Sequence, residues 1–140
     1  MKETYVFPAV LTFGEDGISV EFPDLPGCLT CGGSPEEAID MARDALALHL
    51  WGLEDDGDAP PQPTSIGDLR LGNDQVPVLI DVWMPAIRDE MANRSVNKTL
   101  TLPKWLNDLA ERRKVNFSQV LQSALKRYLG VEGYDNPGKS

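Results

Sequence analysis

Residue types that metal sites and thiol or imidazole catalysis require are scarce in this sequence. Its 140 residues include two cysteines, Cys28 and Cys31, and one histidine, His49. A structural zinc site needs more ligands than these three side chains supply, and residues three apart on a strand point to opposite faces. We therefore predict two reduced, partly buried thiols, and we expect neither a metal site nor a cofactor.

Long apolar runs are absent as well. No segment approaches the ~20 apolar residues of a membrane-spanning helix, and the opening residues MKETYVFPAV contain no signal-peptide core. These two features predict a cytoplasmic protein that has no membrane partner.

Positive charge is scarce in the first two thirds of the chain. Residues 1–90 contain 18 Asp and Glu but only four Lys and Arg, a net charge of −14, whereas residues 91–140 contain four acidic and nine basic residues, a net charge of +5. A basic region favours phosphate binding, and an acidic region favours a basic partner or simply solubility. The division predicts two regions that have different partners.

The N-terminal pattern predicts strands separated by turns. Residues 5–13 are rich in β-branched and aromatic types, residues 14–17 form a turn signal, and residues 18–22 alternate apolar and polar side chains. We predict a hairpin here, in which Pro8 marks a bulge or an edge position. A short third strand is predicted over residues 28–32.

A helix is predicted to begin after Ser34, because Ser-Pro-Glu-Glu combines a cap, a first-turn proline and a capping glutamate. We expect it to end near Gly52 or shortly after, before an exposed acidic loop over residues 54–58, since negative charge is unfavourable at a helix C-terminus. The apolar run over residues 76–84 predicts a central strand. The order β-β-β-α-β indicates a small two-layer α+β domain, in which one helix covers one face of the sheet. The other face is either polar and solvated or a docking face.

The C-terminal region predicts one strand and two helices. Residues 96–102 alternate apolar and polar side chains, and Pro103 stands at the following junction. Asn116 begins a second helix with a capping pattern, and Gly130 ends it. A lone strand has unpaired backbone groups and the segment is small, so we predict a two-fold dimer that pairs two strands.

This segment resembles the ribbon-helix-helix DNA-binding family. The resemblance implies that the solvent face of the paired ribbon enters the major groove of operator DNA, which such a ribbon fits. The DNA-binding residues carried over are Asn97, Lys98, Thr99, Thr101, Lys104, Phe117 and Ser118. Asn and Thr can read base edges, the two lysines can contact phosphates, and the amides of the last two residues lie at a positive helix end.

A simpler reading of the same segment stays open. The polar face of a strand is usually just solvated, so the segment could serve dimerisation alone. No Arg or Lys lies on the expected reading face, which argues against strong guanine readout.

The N-terminal domain contains the phrase Phe-Pro-Asp-Leu-Pro-Gly-Cys at residues 22–28, followed by Thr30, Gly32 and the Ser-Pro-Glu-Glu-Ala helix start. With this motif and helix start, the chain resembles the HicB antitoxin family of type II toxin–antitoxin systems. The resemblance implies a partial ribonuclease H-like fold and a HicA-like toxin as partner, a small basic protein that cleaves RNA. It also implies repression of the protein's own operon.

A ribonuclease H-like fold raises the question of two-metal catalysis, which needs several carboxylates around ions ~4 Å apart. The candidates on predicted strands are Glu21 and Asp81, and an exposed strand face or a toxin contact explains both. His49 falls on the apolar stripe of the predicted helix. We therefore predict no catalytic residues and no enzymatic activity.

The predicted organisation is an acidic toxin-binding domain over 1–84, a linker over 85–95, a ribbon-helix-helix domain over 96–130 and a flexible tail over 131–140. The alternative function is a ribbon-helix-helix transcriptional regulator whose N-terminal domain senses a small ligand. The sequence leaves open whether the homodimers pair into tetramers.

Overall fold

The computed structural model describes residues 2–133 of the chain. The chain folds as two compact units, Met1–Met91 and Ala92–Ser140, and each is described by itself. No helix within the described range is long and apolar enough to cross a membrane.

The first unit contains a four-stranded antiparallel sheet in the order β3-β2-β1-β4. The strands are β1 (Thr4–Gly14), β2 (Gly17–Glu21), β3 (Leu29–Gly32) and β4 (Gln75–Trp83). One long helix, α1 (Pro35–Asp55), lies between β3 and β4 in the chain. The predicted hairpin, the third strand and the order β-β-β-α-β are confirmed.

The prediction that residues 76–84 form a central strand is wrong, because β4 is an edge strand and β1 is central. A continuous apolar run is typical of a strand buried on both faces. Here Ile80 and Val82 are buried in the core, whereas Leu79 and Trp83 on the opposite face are exposed. The run therefore reflects one core-facing row and one uncovered row of apolar side chains.

The prolines fit the pairing of the central strand. Pro8 lies opposite Leu79 and Pro77 lies opposite Val10, while β2 pairs only with the second half of β1. The edge position predicted for Pro8 is confirmed, since β1 has a neighbour on only one side there. Proline cannot donate to a ladder, so the two pairs that contain proline are non-hydrogen-bonded pairs. The two kinds of pair alternate along antiparallel strands, so the pair of Val6 with Asp81, two residues from Pro8 and Leu79, is also a non-hydrogen-bonded pair.

Helix α1 begins as the sequence predicts. The side chain of Ser34 accepts a hydrogen bond of 3.2 Å from the amide of Glu37, and Pro35 occupies the first turn. The helix packs closely on β3 at Gly32, where a Cβ atom would lie 2.5 Å from the Ala38 nitrogen. Only glycine allows this approach. The apolar face of α1 and the inner face of the sheet form one buried core.

Helix α1 ends at Asp55, shortly after Gly52 as predicted, but the loop predicted over residues 54–58 is wrong for Glu54 and Asp55, which belong to the helix. Arg88 explains the difference. Its Nη2 atom lies 2.6 Å from Glu54 Oε1, and its Nε donates to Oε2 at 2.9 Å. The two side chains are only 19% and 11% exposed. This paired geometry offsets the unfavourable charge of Glu54 near the helix C-terminus.

Arg88 belongs to a second helix, α2 (Met84–Ala92), which occupies most of the predicted linker. Met84 is fully buried, and its amide donates to the Glu3 carbonyl at 2.7 Å. Most of the segment predicted as a linker is therefore helical and packed on the first unit. In the same unit, Thr64 ties the loop over residues 56–74 to the segment after β2, because its amide donates to the Asp24 carboxylate at 2.9 Å.

The second unit contains α3 (Lys104–Arg112) and α4 (Phe117–Leu129). The predicted cap of α4 is confirmed, since the side chain of Asn116 accepts from the Gln119 amide at 3.1 Å. Gly130 ends the helix at φ 70°, also as predicted. The predicted tail over 131–140 lies outside the described residues from position 134 onward.

Residues 96–102 contain no assigned strand in this single chain. A ribbon strand is defined by pairing with a neighbour, and its predicted neighbour is a second copy of the chain. The strand, the ribbon-helix-helix arrangement and the likeness of the first unit to ribonuclease H therefore stay predictions.

Candidate functional site

The carboxylates considered for catalysis do not converge. Glu21 lies opposite Val10, and Asp81 lies opposite Val6, on different strands to either side of β1. The two positions are four residues apart along β1, or ~13 Å at the rise of a strand. Asp81 Oδ1 instead accepts from Arg43 Nη2 at 3.2 Å. Among residues 2–133 no three His, Cys, Asp or Glu side chains are grouped closely enough to hold a metal ion.

The two cysteines are both free but differ in exposure. Cys28 is buried, its thiol lies 3.6 Å from the Ala45 carbonyl oxygen, and burial raises its pKa to about 11. A thiol with a raised pKa is a poor nucleophile at neutral pH. The prediction of partial burial is wrong for Cys31, which is exposed because it lies opposite Ser19 on the face of the sheet away from α1.

Large apolar side chains are exposed at several places on the first unit, among them two distinct faces. One is the sheet face opposite α1, where Val6, Leu79 and Trp83 lie on the adjacent strands β1 and β4. The other is the solvent side of α1, where Met41 and Leu48 are exposed among carboxylates. The uncovered sheet face was anticipated from the order of elements, whereas the α1 surface was not. The helical spacing of Met41 and Leu48 was the available signal for the second.

The second unit has no buried side chain anywhere in its described residues 92–133. Its helices nevertheless carry strongly apolar stripes. The exposed large apolar side chains of this unit are Val96, Leu100, Leu102, Trp105, Leu106, Phe117, Val120, Leu125, Tyr128 and Leu129. A stripe of this size is normally covered by another protein surface.

The residues predicted to read DNA lie in an exposed segment. Asn97, Lys98, Thr99 and Thr101 belong to residues 93–103, which have no regular secondary structure here. Their arrangement on one ribbon face would depend on the second chain. Their role stays a prediction.

The residues predicted to contact phosphate lie at helix starts. Lys104 opens α3 and forms an exposed ion pair of 2.6 Å with Asp108. Phe117 and Ser118 form the first turn of α4, and the Ser118 hydroxyl accepts from Gln122 at 3.0 Å. The first amides of a helix have no partner within the helix, which is the property that the predicted phosphate contact needs.

A basic run at the C-terminal end of α3 was not singled out from the sequence. It consists of Arg112, Arg113 and Lys114, three consecutive cations that could have been found as a charge run. Lys114 has φ 55°, the left-handed region that favours glycine. It is the only non-glycine residue with positive φ in the part of the chain that the structure describes.

Comparison with known proteins gives a consistent result. Residues 7–125 match the family described as HicB_like antitoxin of bacterial toxin-antitoxin system. The chain is 32% identical over 121 residues to Antitoxin HicB 1 of Photorhabdus laumondii, covering 82% of this chain and 77% of that protein. It is also 38% identical over 56 residues to a 14.9 kDa protein from the rep-hol intergenic region of Haemophilus phage HP1, a match that spans 39% of this chain and only 42% of the phage protein.

The fold also resembles a solved structure. A chain in a toxin–antitoxin complex from Streptococcus pneumoniae superposes with a TM-score of 0.59 at 23% identity, over 89% of this chain and 99% of that one. The match over residues 7–125 spans most of the sequence, from within β1 of the first unit to within α4 of the second. This chain therefore belongs to the HicB-like antitoxin family of bacterial toxin–antitoxin systems.

Proposed function

We propose that this chain neutralises a HicA-like toxin, a small basic protein that cleaves RNA, by binding it through the first unit. We propose further that the second unit dimerises, binds operator DNA and represses the operon of the pair. Both activities are binding activities in the cytoplasm, and neither requires catalysis by this chain.

The division of charge carries the proposal. The acidic and basic regions of the sequence coincide with the two compact units, because Met91 at the boundary is uncharged. A folded unit of net charge −14 attracts a cationic protein at long range and speeds its association. The same unit would be repelled by nucleic acid, so DNA binding is left to the unit that has a net charge of +5.

The uncovered apolar stripes of α3 and α4 support a homodimer. In a two-fold dimer the same stripe meets itself, so one surface supplies both sides of the interface. Strand pairing across the axis would also satisfy the backbone groups of residues 96–102. The ribbon formed in this way would present Asn97, Thr99 and Thr101 to base edges, with Lys98 and Lys104 near phosphates.

Toxin binding is tested by purifying the tagged chain from its native host at moderate salt and identifying the bound protein by mass. We expect a stoichiometric small basic protein that only denaturant releases, and RNA cleavage by that protein that stops at one equivalent of this chain. A bare oligomer, recovered while the adjacent reading frame is expressed, would instead favour a regulator whose first unit senses a ligand.

DNA binding is tested by titrating the operon's own promoter with the wild-type chain and with Thr99→Ala. Losing one base contact costs about 1–3 kcal/mol of specific binding, whereas toxin affinity should not change. Equal weakening of both activities would contradict the separation of roles between the two units.

A further inference from the structure

One side of α1 lacks both a covering element and any positive charge. Residues three, four and seven apart share a helix face, and the buried residues Ala42, Leu46 and Leu50 define the opposite side. The exposed residues on the uncovered side are, in order, Glu37, Asp40, Met41, Asp44, Leu48 and Asp55. We call this set the α1 solvent face.

The carboxylates of this face have no ion-pair partner among the described residues, although Arg43 lies next to Asp44 and three residues from Asp40. None of the ion pairs described for residues 2–133 includes Glu37, Asp40, Asp44 or Asp55. The only cation in α1 is Arg43, which is directed to Asp81 on β4.

This arrangement is unfavourable in the free protein. Asp40 and Asp44 are like charges at spacing i,i+4, which repel each other across one turn. Asp55 lies at the last residue of α1, where the helix dipole is already negative. A cationic surface docked along the helix would remove both penalties, and free solvent does so only in part.

The two apolar residues of the face are spaced for contact with one partner. Met41 and Leu48 are 40% and 57% exposed. They are two helical turns apart, ~10.5 Å at the rise of an α-helix. Apolar side chains between charges are suited to anchor the centre of an interface, where the aliphatic stems of Lys and Arg also pack well.

We propose that the α1 solvent face is the surface on which the toxin docks, through a cationic strip ~27 Å long, the length of helix from Glu37 to Asp55. This inference rests on the proposed function, since the occupant is the toxin. The carboxylates set the rate of association, and Met41 and Leu48 set the lifetime of the complex.

The apolar part is tested with the full chain and the purified product of the adjacent reading frame. Met41→Ala/Leu48→Ala keeps good helix formers in α1, so the fold should persist. We expect affinity to fall by at least about tenfold, chiefly through faster dissociation. The matched control is Val6→Thr/Leu79→Thr, which removes two similarly exposed side chains from the opposite sheet face and should change affinity less than about twofold.

The charged part is tested with Asp40→Asn/Asp44→Asn. Its control, Glu15→Gln/Asp16→Asn, makes the same change in net charge at the β1–β2 turn. The first pair should slow association and flatten its salt dependence, and the control should have a smaller effect on both, because the control charges lie outside the interface.

The outcomes separate this inference from the proposed function. A wild-type chain that does not bind the adjacent product overturns the proposed function. A wild-type chain that binds, with equal losses in variants and controls, retains the toxin partner and overturns the α1 solvent face as its docking surface. A loss confined to Val6→Thr/Leu79→Thr overturns it too and assigns docking to the sheet.

Discussion

The two units of this chain differ in where their apolar side chains lie. The first unit closes a core around residues such as Phe7, Leu46 and Ile80, which have almost no exposed surface. The second has comparable apolar content in α3 and α4 but buries none of it within its described residues. The first unit can therefore be stable as one chain, whereas the second would need another protein surface, such as the proposed second copy, to complete a core.

The largest effect is expected from a core residue of the first unit. Leu46→Ala removes a fully buried side chain from α1 and should lower the free energy of unfolding by about 2–5 kcal/mol. Leu48→Ala, two residues along the same helix, should change it by less than about 0.5 kcal/mol because its side chain is exposed. Urea denaturation of both variants checks the difference, and equal losses would contradict the assigned core.

The next effect concerns assembly of the second unit. Leu125→Glu places a charge in the exposed apolar stripe of α4 and should weaken dimerisation by about 100-fold without unfolding the first unit. Sedimentation at several protein concentrations measures this. Gln122→Glu introduces the same charge on the same helix and serves as the control. A dimer that survives Leu125→Glu unchanged would mean that the stripe is not the interface.

One ion pair in each unit allows a further comparison of stability between the two units. Arg88→Met leaves the largely buried Glu54 without its partner and should destabilise the first unit by about 2 kcal/mol. Arg127→Met breaks an exposed pair with Glu132 in the second unit and should cost at most a few tenths of that amount. Thermal unfolding compares the two. Similar losses would show that burial does not decide the strength of these pairs.

The smallest expected effect is an increase in stability rather than a loss. Lys114→Gly relieves a left-handed backbone conformation and should stabilise the second unit by about 1 kcal/mol. Arg113→Gly, at φ −89°, gains no such relief and should be neutral or destabilising. The midpoint of thermal unfolding, read at one fixed dimer concentration, is the measurement. A loss of stability in Lys114→Gly would show that the lysine side chain contributes contacts of its own.

Local signals made several elements of both units predictable. Ser34 and Pro35 set the start of α1 correctly, and Asn116 and Gly130 set both ends of α4. These signals depend only on neighbouring backbone groups. The positions of the strands were also predictable, because alternation of apolar and polar residues indicates which side chains of a strand face the core and which face solvent.

Features that depend on distant residues were not predictable. The continuation of α1 through Glu54 depends on Arg88, which lies 34 residues further along the chain. The edge position of β4 follows from its pairing with β1 alone. The arrangement of the candidate DNA-reading residues would depend on the proposed second chain, so neither the sequence nor one copy of the protein determines it.

The pair formed by Arg43 and Asp81 has a consequence for the behaviour of the protein at high concentration. Arg43 Nε also donates to the Asp81 carbonyl at 3.2 Å, and in the non-hydrogen-bonded pairing described above that carbonyl faces the open edge of β4. A strand that approached this edge could not use the Asp81 carbonyl as an acceptor, because Arg43 already donates to it. Pro77 would offer that strand no N–H donor. Exposed sheet edges seed aggregation unless such groups obstruct them. The open edge of β4 should therefore resist strand pairing between neighbouring copies of the first unit, even in concentrated solution.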